Sequence, residues 1–278
     1  MNEASIYHQG SGVKLYLGDA LQALRGLAPC SVDCVVTSPP YWGHRDYGIA
    51  GQYGHEERVE DFVEVMRSLF AEVRRMLKPL GTCWLNLGDS YGGSWGNYVA
   101  AGSTAPTASD EVRRRRHGTH RPPQSRALRK SLIGVPWRVA FALQEDGWLL
   151  RNSVVWHKPN ARPESVRDRL GTRYESVFFF AMSNNHYFAG PSEPLGDVWK
   201  VPAQPFRGHT AVGPVEIARR AIRLGCPPGG VVLDPFSGTA TTGLAARQLG
   251  CSYIGVDLNP AFHDLAIARF AEQEEVAL

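Results

Sequence analysis

Cysteine is scarce. The chain has five in 278 residues (Cys30, Cys34, Cys83, Cys226, Cys251), with no Cys-x-x-Cys pair and no zinc-type Cys/His spacing. That excludes a disulfide scaffold and a structural zinc site as organising devices, and reduced thiols in a cytosolic protein are expected. Long apolar runs are missing too. Stretches such as Val177–Met182 fall far short of the ~20 residues a membrane helix needs. The first ten residues, MNEASIYHQG, carry neither a basic nor an apolar leader region, so no signal peptide and no membrane partner are expected. Neither sign of charge dominates: 30 Lys/Arg face 27 Asp/Glu, for a net +3. Bulk charge therefore does not mark a nucleic-acid binder. No internal repeat is visible.

What charge there is, is concentrated. Residues 91–130 hold eight Lys/Arg against two acids, a net +6, which leaves −3 for the rest of the chain. This stretch is rich in Gly, Ser, Thr, Ala and Arg and has no periodicity, so it reads as a basic mobile insertion. Around it, short apolar runs alternate with helical patterns. Strands are expected at Val13–Leu17, Val32–Thr37, Gly81–Leu87, Trp148–Trp156, Tyr174–Met182, Val231–Leu233 and Tyr253–Val256. Helices are expected at Ala20–Leu27, Val59–Leu77, Pro136–Gln144, Val215–Leu224, Thr241–Leu249 and Ala261–Phe270. Ala189–Gly213 reads as irregular. The alternation predicts an α/β fold, one domain over residues 1–278 with a mostly parallel, twisted sheet and helices on both faces. Trp148–Trp156 and Tyr174–Met182 would form an antiparallel edge hairpin.

Two constellations carry chemistry. In Asp234-Pro235-Phe236-Ser237-Gly238-Thr239-Ala240-Thr241-Thr242-Gly243, a buried strand ends in an acid, then a tight small-residue turn, then a helix. Ligands of such sheets bind beyond the carboxyl ends of the strands, and small residues let backbone approach them closely. Asp257 ends the next strand, the usual place for an acid that holds ribose hydroxyls. Alone, the Gly238-x-Ala240-x-x-Gly243 spacing also fits a degenerate dinucleotide fingerprint, or a ligand-free helix start. The second is Thr37-Ser38-Pro39-Pro40-Tyr41-Trp42. Paired prolines fix the backbone and donate no hydrogen bonds, a hydroxyl precedes them and an aromatic ring follows. That suits an extruded base, whose exocyclic amine needs acceptors and whose face needs a stacking partner. A strand-terminating Pro-Pro turn is the plainer alternative.

Together, TSPPYW (Thr37–Trp42), DPFSGTATTG (Asp234–Gly243), GVDLNP (Gly255–Pro260) and Gly18-Asp19 resemble the amino-group DNA methyltransferases. Leu77–Tyr91, Gly147–Asn160 and Thr172–Phe180 fit the same pattern. The order, catalytic motif before cofactor motif, is that of their β group. The resemblance implies a Rossmann-like methyltransferase fold with circularly permuted motifs, S-adenosylmethionine as cofactor and double-stranded DNA as partner. It implies a cytoplasmic protein of a prokaryotic cell or phage, in a restriction-modification system. It leaves room for a homodimer and for a cognate restriction endonuclease. By resemblance, Asp19, Asp234, Phe236, Gly238, Thr239, Asp257 and Asn259 line the cofactor, with Asp19 near the adenine. Ser38, Pro39, Pro40 and Tyr41 hold the base. By the same resemblance Trp156 and Lys158 face DNA, a plain strand end being the alternative; beside such a motif Arg113, Arg114, Arg115 and Arg116 are expected to contact phosphates, a solvated basic run being the alternative, and 189–213 is a candidate target-recognition segment. No metal ligands are expected. The chain departs from the pattern at Ala240, which replaces a glycine and is tolerable there only at negative φ.

A serine before Pro-Pro-Tyr resembles the cytosine-N4 enzymes, with adenine N6 as the alternative target. Cytosine-C5 chemistry needs a cysteine beside the base, and Cys30 lies at the wrong end of its strand. Asp89, after the Gly81–Leu87 strand, could orient the Ser38 hydroxyl and assist proton removal, or could be a turn or helix-cap residue. Two more remote alternatives are a nicotinamide-dependent oxidoreductase, which leaves TSPPYW unexplained, and a non-catalytic DNA-binding module.

Overall fold

The computed structural model describes residues 4–45, 47–93, 127–161, 163–164, 166–190, 195–204 and 213–277. Among these, nine strands form one sheet: β1 (Ser5–Gly10), β2 (Val13–Leu17), β3 (Val32–Thr37), β4 (Leu77–Leu87), β5 (Leu149–His157), β6 (Tyr174–Ala181), β7 (Val198–Lys200), β8 (Val231–Asp234) and β9 (Ser252–Asp257), in the order β1-β2-β9-β8-β3-β4-β6-β5-β7. The β2/β9, β9/β8, β8/β3, β3/β4 and β5/β7 pairs are parallel, while β1/β2 and β5/β6 are antiparallel. The described helices are α1 (Ala20–Gly26), α2 (Val59–Met76), α3 (Val135–Glu145), α4 (Val215–Gly225), α5 (Thr241–Gln248) and α6 (Pro260–Ala277).

The central strands show why the sheet is covered on both faces. In β3, Val32, Cys34, Val35 and Val36 are all buried, as are Val232 and Leu233 of β8. A strand with no polar face fits only between two apolar layers. In α2, Phe62, Met66, Leu69, Phe70, Val73 and Met76 recur at helical spacing and are all fully buried. Each such side chain contributes about 1.5–3 kcal/mol relative to exposure. All five cysteines are free thiols. Among the described residues no helix is long and apolar enough to cross a membrane.

The chain packs as two compact units. The first, Met1–Thr37, Ala71–Asn86 and Trp148–Leu278, contains the sheet. The second, Ser38–Phe70 and Leu87–Gly147, is built on the first turns of α2 and on α3. Arg67 of α2 grips Asp146, at the end of α3, through Nε (2.9 Å) and Nη2 (2.5 Å).

The expected hairpin is present, but β7 adds a further strand outside it and β1 adds one at the opposite edge. β7 lies in the stretch Ala189–Gly213 that reads as irregular, and no element is expected over β1. β7 has three residues and follows a loop, and β1 (SIYHQG) buries neither face fully. β4 begins four residues earlier than expected, with Pro79 inside it.

Candidate active site

Chain reversal in the sheet positions the candidate residues of the first unit. From β8 the chain passes through α5 to β9 on one side, and from β3 through α2 to β4 on the other. β8 and β3 therefore flank a topological switch point, where sheets of this kind bind ligands. The residues ending them are joined directly, since Thr37 Oγ1 donates to Asp234 Oδ1 at 2.7 Å. Asp234 is buried and also accepts from the Phe236 amide at 3.1 Å. Burial outweighs these bonds and pushes its carboxyl up to about 6.

Asp257 ends β9, the next strand. Its Oδ2 accepts from the Gly238 amide and its Oδ1 from the Asn259 amide, both at 2.8 Å. One carboxylate thus braces the turn after β8 and the turn after its own strand. Burial raises it to about 6 as well. Asp19 follows β2, the strand beside β9, and caps α1 by accepting from the Gln22 amide at 3.0 Å. Three acids therefore stand along the carboxyl edge of β2, β9 and β8.

The turn itself is tight. Gly238 has φ 51° and Ala240 has φ 56°. Ala240 thus lies in the left-handed region, contrary to the expectation of negative φ, and is fully buried there. A Cβ in that conformation costs roughly 1–2 kcal/mol, so surrounding contacts must hold it. Its amide donates to the Ser237 carbonyl at 2.8 Å. Thr239 is buried, and Arg269 of α6 takes up both its carbonyl and its hydroxyl. Asn259 Oδ1 accepts from the Ala261 amide at 3.1 Å, so it caps α6.

In the second unit, Ser38 is exposed and its hydroxyl donates to Tyr41 Oη at 3.2 Å. Pro39 is buried and Pro40 half-buried. The Tyr41 ring lies against the Gly88 backbone: a Cβ on Gly88 would come within 2.5 Å of Tyr41 Cε2. His44 flanks the ring at 5.6 Å between centroids. Trp42 is buried, donates its indole N–H to the Glu56 carbonyl at 2.9 Å and accepts at its own carbonyl from Ser90 Oγ at 3.2 Å. Gly54, at φ 89°, closes the turn by accepting from the Gly43 amide.

A sequence profile of the DNA methylase family matches residues 32–268. The chain belongs to the N6/N4 family of DNA methylases. It is 43% identical to the Type II methyltransferase M.SmaI of Serratia marcescens, over 92% of this chain and 90% of that protein. To M.Cfr9I of Citrobacter freundii it is 41% identical, over 95% and 89%. A cytosine-N4-specific PvuII DNA methyltransferase shares the fold at a TM-score of 0.71, with 19% identity over 94% of this chain and 86% of that one. A putative DNA modification methylase from Thermus thermophilus, solved with S-adenosyl-L-methionine, gives 0.63 with 28% identity over 93% of each chain.

Several expected residues of this methylase stand elsewhere than foreseen. Asp89 does not meet Ser38. Its carboxylate accepts from the amides of Ser90 (2.8 Å), Gly134 (3.0 Å) and Val135 (3.0 Å), capping α3. Burial nonetheless raises its pKa, because desolvation outweighs those three donors. Trp156 is buried and spends its indole N–H on the Val201 carbonyl at 2.8 Å, so its ring is core rather than DNA-facing surface. Lys158 lies over that ring and pairs with Glu175, which also accepts from Asn86 at 3.0 Å. Arg113–Arg116 fall outside the described residues. The sequence reading missed Gly88 and Arg269. Gly88 sits at a strand end, where a glycine is a hint. Nothing local marks Arg269.

Proposed function

We propose that the protein transfers a methyl group from S-adenosylmethionine to the exocyclic N4 of cytosine in double-stranded DNA, with the base extruded from the helix. The observation that carries the choice of base is Ser38. In place of an acid before Pro-Pro-Tyr, the chain offers an exposed hydroxyl already oriented by Tyr41 Oη. A fold neighbour whose name specifies cytosine N4 supports the same choice. Adenine N6 is the second reading, which the family accommodates.

The residues present fit the cofactor. Asp234 and Asp257 supply two carboxylates at the ends of adjacent strands, acceptors for ribose hydroxyls and partners for cationic groups. The Asp234–Gly243 turn brings backbone close, and Phe236 is half-buried beside it. When bound, S-adenosylmethionine supplies an electrophilic methyl on a sulfonium. The amine lone pair would form the new N–C bond as the C–S bond breaks, the thioether S-adenosylhomocysteine would leave, and the methylated amine would lose its proton to solvent. Ser38 accepts a hydrogen bond from the amine and holds its lone pair out of conjugation with the ring. Tyr41 offers its face for stacking. Positioning supplies much of the remaining rate. The permuted motif order and the cofactor roles of Asp19, Phe236 and Gly238 belong to this reading. So do phosphate contacts by the basic segment 91–130 and target recognition by 189–213. The Type II names of the relatives suit a cognate endonuclease in the same restriction-modification system.

The test is mass spectrometry of nucleosides from DNA methylated by the purified protein. N4-methylcytosine is the expected product. N6-methyladenine alone would overturn the choice of base, and no modification with any DNA would overturn the whole reading.

A further inference from the structure

We infer that Arg269 is a positioning residue for S-adenosylmethionine, clamping the Thr239–Thr241 turn so that Ala240 stays in its left-handed conformation. This rests on the cofactor reading above.

Arg269 lies on α6, 30 residues from Thr239. Its Nη1 donates to the Thr239 carbonyl (2.6 Å), to Thr239 Oγ1 (2.8 Å) and to Thr241 Oγ1 (3.2 Å). Those groups flank Ala240, the N-cap of α5, which has no side-chain cap of its own. Two general effects oppose a cation there. A helix N-terminus carries partial positive charge, and burial disfavours the charged guanidinium, lowering its pKa. The three acceptors offset both. The opposite side of the turn is held by Asp257, through the Gly238 amide. Gly238 to Thr241 is thus clamped from both sides. A glycine at 240 would adopt φ 56° freely, whereas the alanine found there would relax without a clamp and carry the turn away from the cofactor.

The experiment is calorimetric titration of S-adenosylmethionine into four full-length proteins: wild type, Arg269→Gln, Ala240→Gly and the double variant, each with its thermal midpoint. Arg269→Gln is expected to weaken binding about five- to tenfold. Ala240→Gly, whatever its own affinity, is the reference for the double variant: on that background Arg269→Gln is expected to cost less than about twofold, because glycine no longer needs the clamp. A merely structural Arg269, tying α6 to α5, would lower the thermal midpoint on either background and leave affinity unmoved. Equal affinity in wild type and Arg269→Gln overturns the inference, as does a loss from Arg269→Gln that is as large on the Ala240→Gly background. Wild type that fails to bind S-adenosylmethionine overturns the cofactor reading, and this inference with it. Should Arg269→Gln not fold, Arg269→Met carries the same test: it keeps an unbranched stem and removes every donor to the turn.

Discussion

Asp234 and Asp257 are held near 6 by burial, about two units above an ordinary aspartate. Their sign matters. A carboxyl whose folded pKa exceeds its unfolded value binds more protons folded than unfolded between the two values. Its stabilising contribution is full below about 4 and is lost as pH rises through about 6. Ligand-free protein should therefore lose stability across that window from these two groups and then level off. Cofactor affinity should run the other way, because a ribose hydroxyl prefers the ionised acceptor. Titrations between pH 5 and 7.5 should show affinity climbing to about 6 and flattening above it, more shallowly in Asp257→Asn. Asp257→Ala should lose on the order of 1.5–3 kcal/mol of binding. Affinity independent of pH, or equal in Asp257→Ala, would remove Asp257 from the ribose. Gly88 makes the matching test for the base. An added Cβ would come within 2.5 Å of the Tyr41 ring, so Gly88→Ala must displace it. Single-turnover methylation should slow by roughly 10- to 100-fold while cofactor affinity stays at the wild-type value. An unchanged rate would show that the Tyr41 ring position is immaterial.

At the scale of elements, α3 begins at Gly134 in the left-handed region, with no cap of its own. Asp89 supplies the cap from 45 residues away, with its charge at the positive end of the helix. Asp89→Ala should cost about 1–2 kcal/mol, a fall of roughly 2–8 °C in the thermal midpoint. Asp89→Asn, which keeps one acceptor oxygen, should fall less. A folded Asp89→Asn with an unshifted midpoint and a much slower chemical step would return Asp89 to catalysis. Most elements were legible beforehand, since β3 and β8 are short continuous apolar runs and α2 repeats its apolar residues every third or fourth position. β7 was not, because three residues are too few for a period. The sequence allows Asp89 either role. Its burial and strand-end position suit either role, and only the placement of Gly134 and Val135 separates them.

For the whole molecule, the useful quantity is where charge sits. A net +6 lies within residues 91–130 of a chain whose total is +3. If those side chains neutralise phosphates, changing Arg113–Arg116 to Gln should weaken binding to every DNA sequence. The dependence of log affinity on log salt should then flatten by up to roughly 0.9 per lost contact. Filter binding between about 50 and 200 mM salt measures this, and an unchanged slope would assign the basic run no phosphate contacts.

The amino-acid sequence by itself determined the alternation of strands and helices, the acids at strand ends, the Pro-Pro-Tyr motif and hence the family. Each depends on residues close together in the chain, where steric and hydrophobic periodicity is visible. Tertiary structure alone decided the partners of those residues. Thr37 meets Asp234 across 197 positions, Arg269 reaches Thr239 across 30, and Trp156 turns into the core while Asp89 turns to α3. Ala240 shows the division most plainly. From the sequence, an alanine in a glycine position should avoid the left-handed region, because its Cβ clashes there. In the fold, hydrogen bonds from a distant helix secure the flanking residues, and the local preference yields.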